Sequence, residues 1–385
     1  MYTAAIHEDN EEFAEARRRG IPMLSRAELL GQLMKNYDVP VAISGTHGKT
    51  TTTSMLSHIL LAAKKDPTIS VGGILKAIGG NIRVGSSELF VTEACEYTNS
   101  FLHFFPKIAV ILNIDADHLD FFKDLDDIRH SFRRFAQLLP ADGTLIINKE
   151  IEHLEEITDG LSCRVVTFGL DSSADYYADQ ISHDETGNAA FHVISHGKDT
   201  GRVELSVKGD HNICNALSVI AVADLLDISR DDVCSGLQSF TGTDRRFEYK
   251  GDWNGVTVID DYAHHPTEIK ATLKAADVYP HREIWCVFQP HTYTRTKALF
   301  PEFVEALSHT DHVVLADIYA ARETDTLGVS SQMLAEELKK KGCDAYYLPS
   351  FEAIEDFLKA HCQKGDVLIT MGAGNVVNIG EALLK

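Results

Sequence analysis

The segment VPVAISGTHGKTTTTSMLSHILLAA, residues 39–63, constrains the fold more than any other part of the chain. An apolar strand runs into a turn with two glycines, and an amphipathic helix follows without a spacer. That order aims the free N–H groups and the positive dipole end of the helix at the turn, which makes a phosphate site. Gly45, Thr46, His47, Gly48, Lys49, Thr50 and Thr51 form the candidate loop. Lys49 would place a point charge on the outer phosphates, and the Thr50 hydroxyl would reach Mg2+. Ile43 stands where the usual eight-residue phosphate-loop pattern has glycine. The competing reading is a plain glycine turn between strand and helix. Four successive threonines in this context favour phosphate binding.

Beyond this unit, LFVTEA (89–94), IAVILNI (108–114), TLIINK (144–149) and RVVTFG (164–169) read as strands, and 125–139 as a helix. Alternating strands and helices imply a mostly parallel sheet covered on both faces. Residues 1–39 hold two short helical pieces, near 11–19 and 25–34. Residues 175–210 are polar and short-stranded and suggest a small antiparallel insertion, followed by a helix at 212–226. A second α/β pattern begins with VTVIDDYAHHP (256–266) and continues through REIWCVFQPH (282–291), HVVLADIYA (312–320) and DVLITMGAGN (366–375). The fold class is therefore α/β: a central phosphate-loop sheet and a C-terminal Rossmann-like unit, divided near 243–245. Polar residues gather at the strand C-termini, where open α/β sheets bind ligands.

The 385 residues carry a net charge of -21. Such a surface repels nucleic acid and anionic membranes, so anionic substrates need a locally built positive site. No run of about eighteen apolar residues suggests a membrane span, and the N-terminus carries no apolar leader core. Seven scattered cysteines without a paired spacing argue against disulfides or zinc ribbons and for a reducing cytoplasm.

Glu93 ends one strand, and His118 follows another within NIDADHLD (113–120). With Thr50 they form an oxygen-rich set suited to Mg2+ if their strands are neighbours. Asn212 and Asn215, near the start of the helix after GDH, read as caps, or alternatively as amides facing a purine edge. Arg245 and Arg246 read as a solvated linker pair or as an anion site. Asp261, Tyr262, His264, His291 and Arg295 cluster after apolar strands, a setting suited to anion binding.

Together and in this order, SGTHGKTTTT, VTEACE, NIDADHLD, GDHNICNA, DRRFE, DDYAHHPTEI, FQPHTYTRT and GAGN resemble the Mur ligases. The resemblance runs from about Tyr2 to the last residue. Its motifs are most similar to those of the subgroup that joins L-alanine to UDP-N-acetylmuramic acid; a murein tripeptide ligase on the same nucleotide sugar is the alternative. A nucleotide-binding module without ligase activity and a simple phosphotransferase are the rivals from other classes. The resemblance implies ATP and Mg2+ as cofactors, a central ATP-binding domain over 40–244 and a C-terminal ligase domain over 245–385. Residues 1–39 match only the tail of the family's UDP-binding domain, since no strand and glycine-rich turn precede Gly45. It further implies that Lys49 and the loop amides hold the β- and γ-phosphates. Thr50, Glu93 and His118 would serve metal; Asn212 and Asn215 would contact adenine, Arg246 phosphate and Asp261 ribose. Tyr262, His264, His291 and Arg295 would line the muramoyl or alanine side, with Lys49, His264 and Arg295 acting in catalysis.

Overall fold

A computed structural model describes residues 1–3, 6, 8–119, 121–321 and 323–385. Asp120, the last residue of NIDADHLD, lies outside the described residues. Ten strands form the first sheet: β1 (Val39–Ser44), β2 (Thr68–Leu75), β3 (Gly80–Arg83), β4 (Leu89–Glu93), β5 (Ile108–Ile111), β6 (Thr144–Asn148), β7 (Arg164–Gly169), β8 (Tyr176–His183), β9 (Asn188–Ser195) and β10 (Lys198–Lys208). Their spatial order is β10-β9-β8-β7-β6-β5-β1-β4-β2-β3. The neighbours from β2 to β8 pair in parallel, and β3, β9 and β10 add antiparallel edges.

The strand-by-strand alternation of side chains explains the two-faced core. Val41 and Ile43 of β1 join Leu56 and Ile59 of the helix Lys49–Ala62 and Ala216 of the helix His211–Leu225. Ala42 faces the other way, in a cluster with Phe90, Phe101 and Phe132. A third helix, Arg230–Ser239, closes against the helix Lys49–Ala62 at Gly236, where a Cβ would lie 2.4 Å from the Ile59 Cα. Glycine is needed there for the close approach.

The expected insertion at 175–210 proves to be part of the main sheet: β8 continues it in parallel from β7, and β9 and β10 fold back as hairpins. Its polar sequence reflects an edge with one wet face, as at Asp179–His183 in the exposed half of β8. Two strands end earlier than the apolar runs suggest, β5 at Ile111 and β4 at Glu93. Beyond these points the chain turns into the site.

The second sheet contains β11 (Glu248–Trp253), β12 (Val256–Asp261), β13 (Ile284–Phe288), β14 (His312–Leu315), β15 (Asp344–Tyr347) and β16 (Val367–Met371), ordered β11-β12-β16-β13-β14-β15. All neighbours are parallel except the β11–β12 pair. Among the described residues no helix is long and apolar enough to cross a membrane.

Candidate active site

β1 stands between β4 and β5, with Ile43 opposite Glu93 and Ser44 opposite Ile111. The C-terminal ends of these three strands therefore bring the Gly45–Thr51 loop, Glu93 and the 113–119 segment to one edge. Gly48 caps the helix Lys49–Ala62 in the left-handed region at φ 84°, and a Cβ there would meet Asn215 Oδ1 at 2.9 Å. The loop and the helix His211–Leu225 are thus in contact.

Lys49 Nζ donates to the carbonyls of Gly45 (2.5 Å) and Thr46 (3.0 Å) and to Glu96 Oε2 (2.9 Å). Burial opposes the charge of Lys49, but the Glu96 carboxylate outweighs it and raises the lysine pKa. Glu96, 2% exposed, went unassigned in the sequence although it closes the VTEACE motif. Thr50 Oγ1 donates to Glu93 Oε2 (3.1 Å), and Gly72 N donates to the other oxygen (2.5 Å). Desolvation raises the pKa of Glu93 despite these bonds. A hydroxyl and a carboxylate beside a helix N-terminus suit Mg2+. His118 is not beside them in the same way: its Nε2 lies 3.8 Å from Glu96 and 3.8 Å from Asp117, and its ring stacks on Tyr97. Desolvation lowers the His118 pKa, which favours the neutral imidazole.

Asn212 and Asn215 are not helix caps, because the cap position is Asp210. Asn212 Nδ2 donates to the Lys208 carbonyl, and Asn215 Nδ2 to Asn212 Oδ1. Both side chains are buried and line a cavity of about 600 Å³, together with His47, Gly48, Thr51, Arg246 and Asp261. Asp261 accepts from Phe247 N (2.8 Å) and Ala263 N (2.7 Å), yet burial raises its pKa to about 6.

The linker reading of the arginine pair fails for Arg245. Its guanidinium bonds Asp260 and the carbonyls of Gly372 and Gly374, so it holds the GAGN turn rather than facing solvent. Arg246 lies 3.7 Å from Glu268 and over the Tyr262 ring, where its charge faces the cavity.

A second cavity of about 360 Å³ joins His118 and Asp117 to Tyr262, His264, His291 and Arg295. Arg295 already has a carboxylate partner: Nε and Nη2 both reach Asp117 Oδ1, at 3.0 and 2.8 Å, and Nη1 lies 3.2 Å from His291. His264 Nδ1 is 2.9 Å from the Tyr262 carbonyl, and burial lowers the ring's pKa to about 4. Gly45, Thr46, Lys49, Thr50 and Glu93 line neither cavity. Glu268, Asp115 and Asp117 escaped individual notice, although DDYAHHPTEI and NIDADHLD contain them. Their importance lies in contacts between sheets, which no local pattern carries.

Three family models match the chain: the Mur ligase middle domain over residues 43–223, the Mur ligase glutamate ligase domain over 245–374, and the Mur ligase family catalytic domain over 1–38. A UDP-N-acetylmuramate–L-alanine ligase from Agathobacter rectalis is 59% identical over 385 residues, covering 100% of this chain and 84% of that relative. The chain belongs to the Mur ligase family. A relative of the same name from Lachnospira eligens is 57% identical with equal coverage. Among solved Mur ligases, the UDP-N-acetylmuramate–alanine ligase of Thermotoga maritima superposes with a TM-score of 0.83 at 29% identity, covering 99% of this chain and 83% of that one. The murein peptide ligase of Psychrobacter arcticus gives 0.71 at 25% identity, with 99% and 84% covered. The two-sheet α/β architecture described above is therefore that of this family.

Proposed function

We propose that this Mur ligase joins L-alanine to the carboxylate of UDP-N-acetylmuramic acid, using ATP, in peptidoglycan precursor synthesis. The observation that carries the reading is a pair of cavities between the two halves, one lined by His47, Gly48, Asn212 and Asn215 and the other by His264, His291 and Arg295. High identity to relatives named for this reaction supports the choice of substrates. We assign residues 40–244 to nucleotide binding, 245–385 to the ligase half and 1–39 to the tail of the family's UDP-binding domain.

Carboxylate oxygen is a poor leaving group, so amide formation needs activation. The muramoyl carboxylate attacks the γ-phosphorus of ATP, the bond to the β–γ bridging oxygen breaks, and ADP leaves an acyl phosphate. The alanine amine then attacks the acyl carbon, and inorganic phosphate departs. Phosphoryl transfer depends mainly on positioning and charge neutralisation. Lys49 and the loop amides would hold the outer phosphates, Arg246 would approach the transferring group, and Asp261 would take the ribose hydroxyls. Asn212 and Asn215 would meet the adenine. Thr50, Glu93 and His118 would hold Mg2+, which supplies charge neutralisation on the phosphates. His264 donates Nδ1–H to the Tyr262 carbonyl, which leaves Nε2 as an acceptor that would orient the incoming amine, and the departing phosphate takes up the proton that the amine sheds. Arg295 would turn from Asp117 to the substrate carboxylate or acyl phosphate, and Tyr262 and His291 would line that side.

Phosphate release from ATP, followed with UDP-N-acetylmuramic acid present and L-alanine added or withheld, tests the reading. Release should depend on both co-substrates. Alanine-independent turnover would replace it with a simple phosphotransferase, and preference for a tripeptide would move the assignment to the murein peptide branch.

A further inference from the structure

Between the two halves, His47 of the Gly45–Thr51 loop, Asp115 after β5 and His265 of the C-terminal half converge. One donor atom from each lies within 4.8 Å of the others. His47 Nε2 is 3.2 Å from Asp115 Oδ2, and His265 Nδ1 is 3.9 Å from the same oxygen. We propose that these three side chains form a site for a borderline divalent ion such as Zn2+, which would clasp the phosphate loop to the ligase half.

The outward-facing ring atoms support this assignment. His47 Nδ1 is 3.2 Å from Glu268 Oε1, and His265 Nε2 is 3.1 Å from the Ala116 carbonyl. Each histidine can thus donate its distal N–H to an oxygen and turn the other nitrogen toward Asp115. Ligating histidines are held in this manner, with a carboxylate or carbonyl fixing tautomer and ring orientation. His265 is 4% exposed, and desolvation lowers its pKa, so it is neutral, the form a metal takes. Its Nδ1 accepts from Thr267 N at 3.3 Å, the cap of the helix Pro266–Asp277, and an ion would displace that long bond. Between Asp115 and Glu268 a positive charge is already favoured: burial opposes it, yet the two carboxylates raise the His47 pKa to about 9. A divalent ion would replace that proton.

Two imidazoles and one carboxylate suit Zn2+, Co2+ or Ni2+ better than Mg2+, which prefers oxygen. Tetrahedral zinc with bonds of about 2.0–2.2 Å needs donors roughly 3.3–3.5 Å apart. The carboxylate–histidine separations bracket that range, and side-chain rotation must close the remainder. The Thr267 hydroxyl, 2.6 Å from Asp115 Oδ2, or a water would complete four-coordination.

Cobalt titrated into the full chain tests the site. Four-coordinate Co2+ with nitrogen donors absorbs strongly in the visible, whereas six-coordinate Co2+ among oxygens absorbs weakly. The strong band should appear in the wild-type chain, vanish in His265→Gln and Asp115→Asn, and survive in Glu93→Gln. Glu268→Gln should weaken binding by about 10–100-fold, the usual effect of losing a supporting carboxylate. Should either ligand variant melt abnormally, zinc X-ray absorption on the wild-type chain decides instead: two imidazoles per ion support the site. A single imidazole, a band lost only with Glu93→Gln, or no strong band at all would overturn it.

Discussion

Lys49 has two roles that mutation can separate. It is aimed at the loop carbonyls, and it is the ion-pair partner of a carboxylate that is 2% exposed. Lys49→Ala should cut alanine-dependent phosphate release by about 10²–10³, the usual cost of losing one group aimed at developing charge. It should also destabilise the fold by about 3–5 kcal/mol, because the buried Glu96 loses its hydrogen-bonded cation. Adding Glu96→Gln should restore the melting temperature and leave turnover low; recovery of turnover would remove Lys49 from catalysis. Glu93→Gln should raise the Mg2+ concentration needed for half-maximal turnover, and an unchanged Mg2+ titration would take Glu93 out of the metal shell. Asp261 offers a pH test. Burial raises its pKa from 3.8 to about 6 in the folded chain. The sign follows: stability linked to its neutral form is complete below pH 3.8 and is lost as pH rises through about 6. Asp261→Asn carries no such dependence, so its melting temperature relative to wild type should fall by a few degrees between pH 7.5 and 5. A constant offset would show that Asp261 titrates normally.

At the level of elements, the strand–turn–helix unit works because Gly48 adopts φ 84° where the helix Lys49–Ala62 begins and the helix His211–Leu225 presses against it. Gly48→Ala should cost about 1–2 kcal/mol for the left-handed backbone alone, with a further loss from the contact at Asn215. Urea unfolding of Gly48→Ala and of Gly48→Ala/Asn215→Ala separates the two: the second change should recover only part of the loss. The strand–turn–helix order, the C-terminal strands and their apolar faces were legible in the sequence because each rests on local periodicity. Residues 175–210 were misread as an insertion because nothing local distinguishes a free hairpin from one that extends a sheet through a single parallel pairing, Phe168 with Tyr176 and Gly169 with Tyr177.

For the whole molecule, the decisive contacts run between the halves: Arg295 with Asp117, His47 with Glu268, Thr267 with Asp115, and Lys274 with Asp210. Arg295 is 11% and Asp117 7% exposed at the side chain, so this pair is largely desolvated. Arg295→Ala should lower alanine-dependent ADP formation by about 10²–10³, while ATP affinity, measured by calorimetry, stays near wild type. Arg295→Lys should recover little, since a point charge lacks the paired donors of guanidinium. If Asp117→Asn in the Arg295→Ala background restores both melting temperature and turnover, the arginine is a structural partner and nothing more.

The sequence by itself determined the α/β class, the strand–turn–helix around Gly45–Thr51, the strand end that carries Asp261 and Tyr262, and the resemblance to the Mur ligases. Those follow from periodicity, glycine placement and residue order, all of which are local in the chain. Tertiary structure alone decided that Glu96 holds Lys49, that Asn212 and Asn215 face a cavity instead of capping a helix, and that Arg245 secures a turn. It also decided that Asp115, Asp117 and Glu268 meet partners from the opposite half. These residues lie up to 221 positions from the groups they touch. A carboxylate's partner at such separation is fixed by how two sheets dock, and no pattern within either segment encodes that.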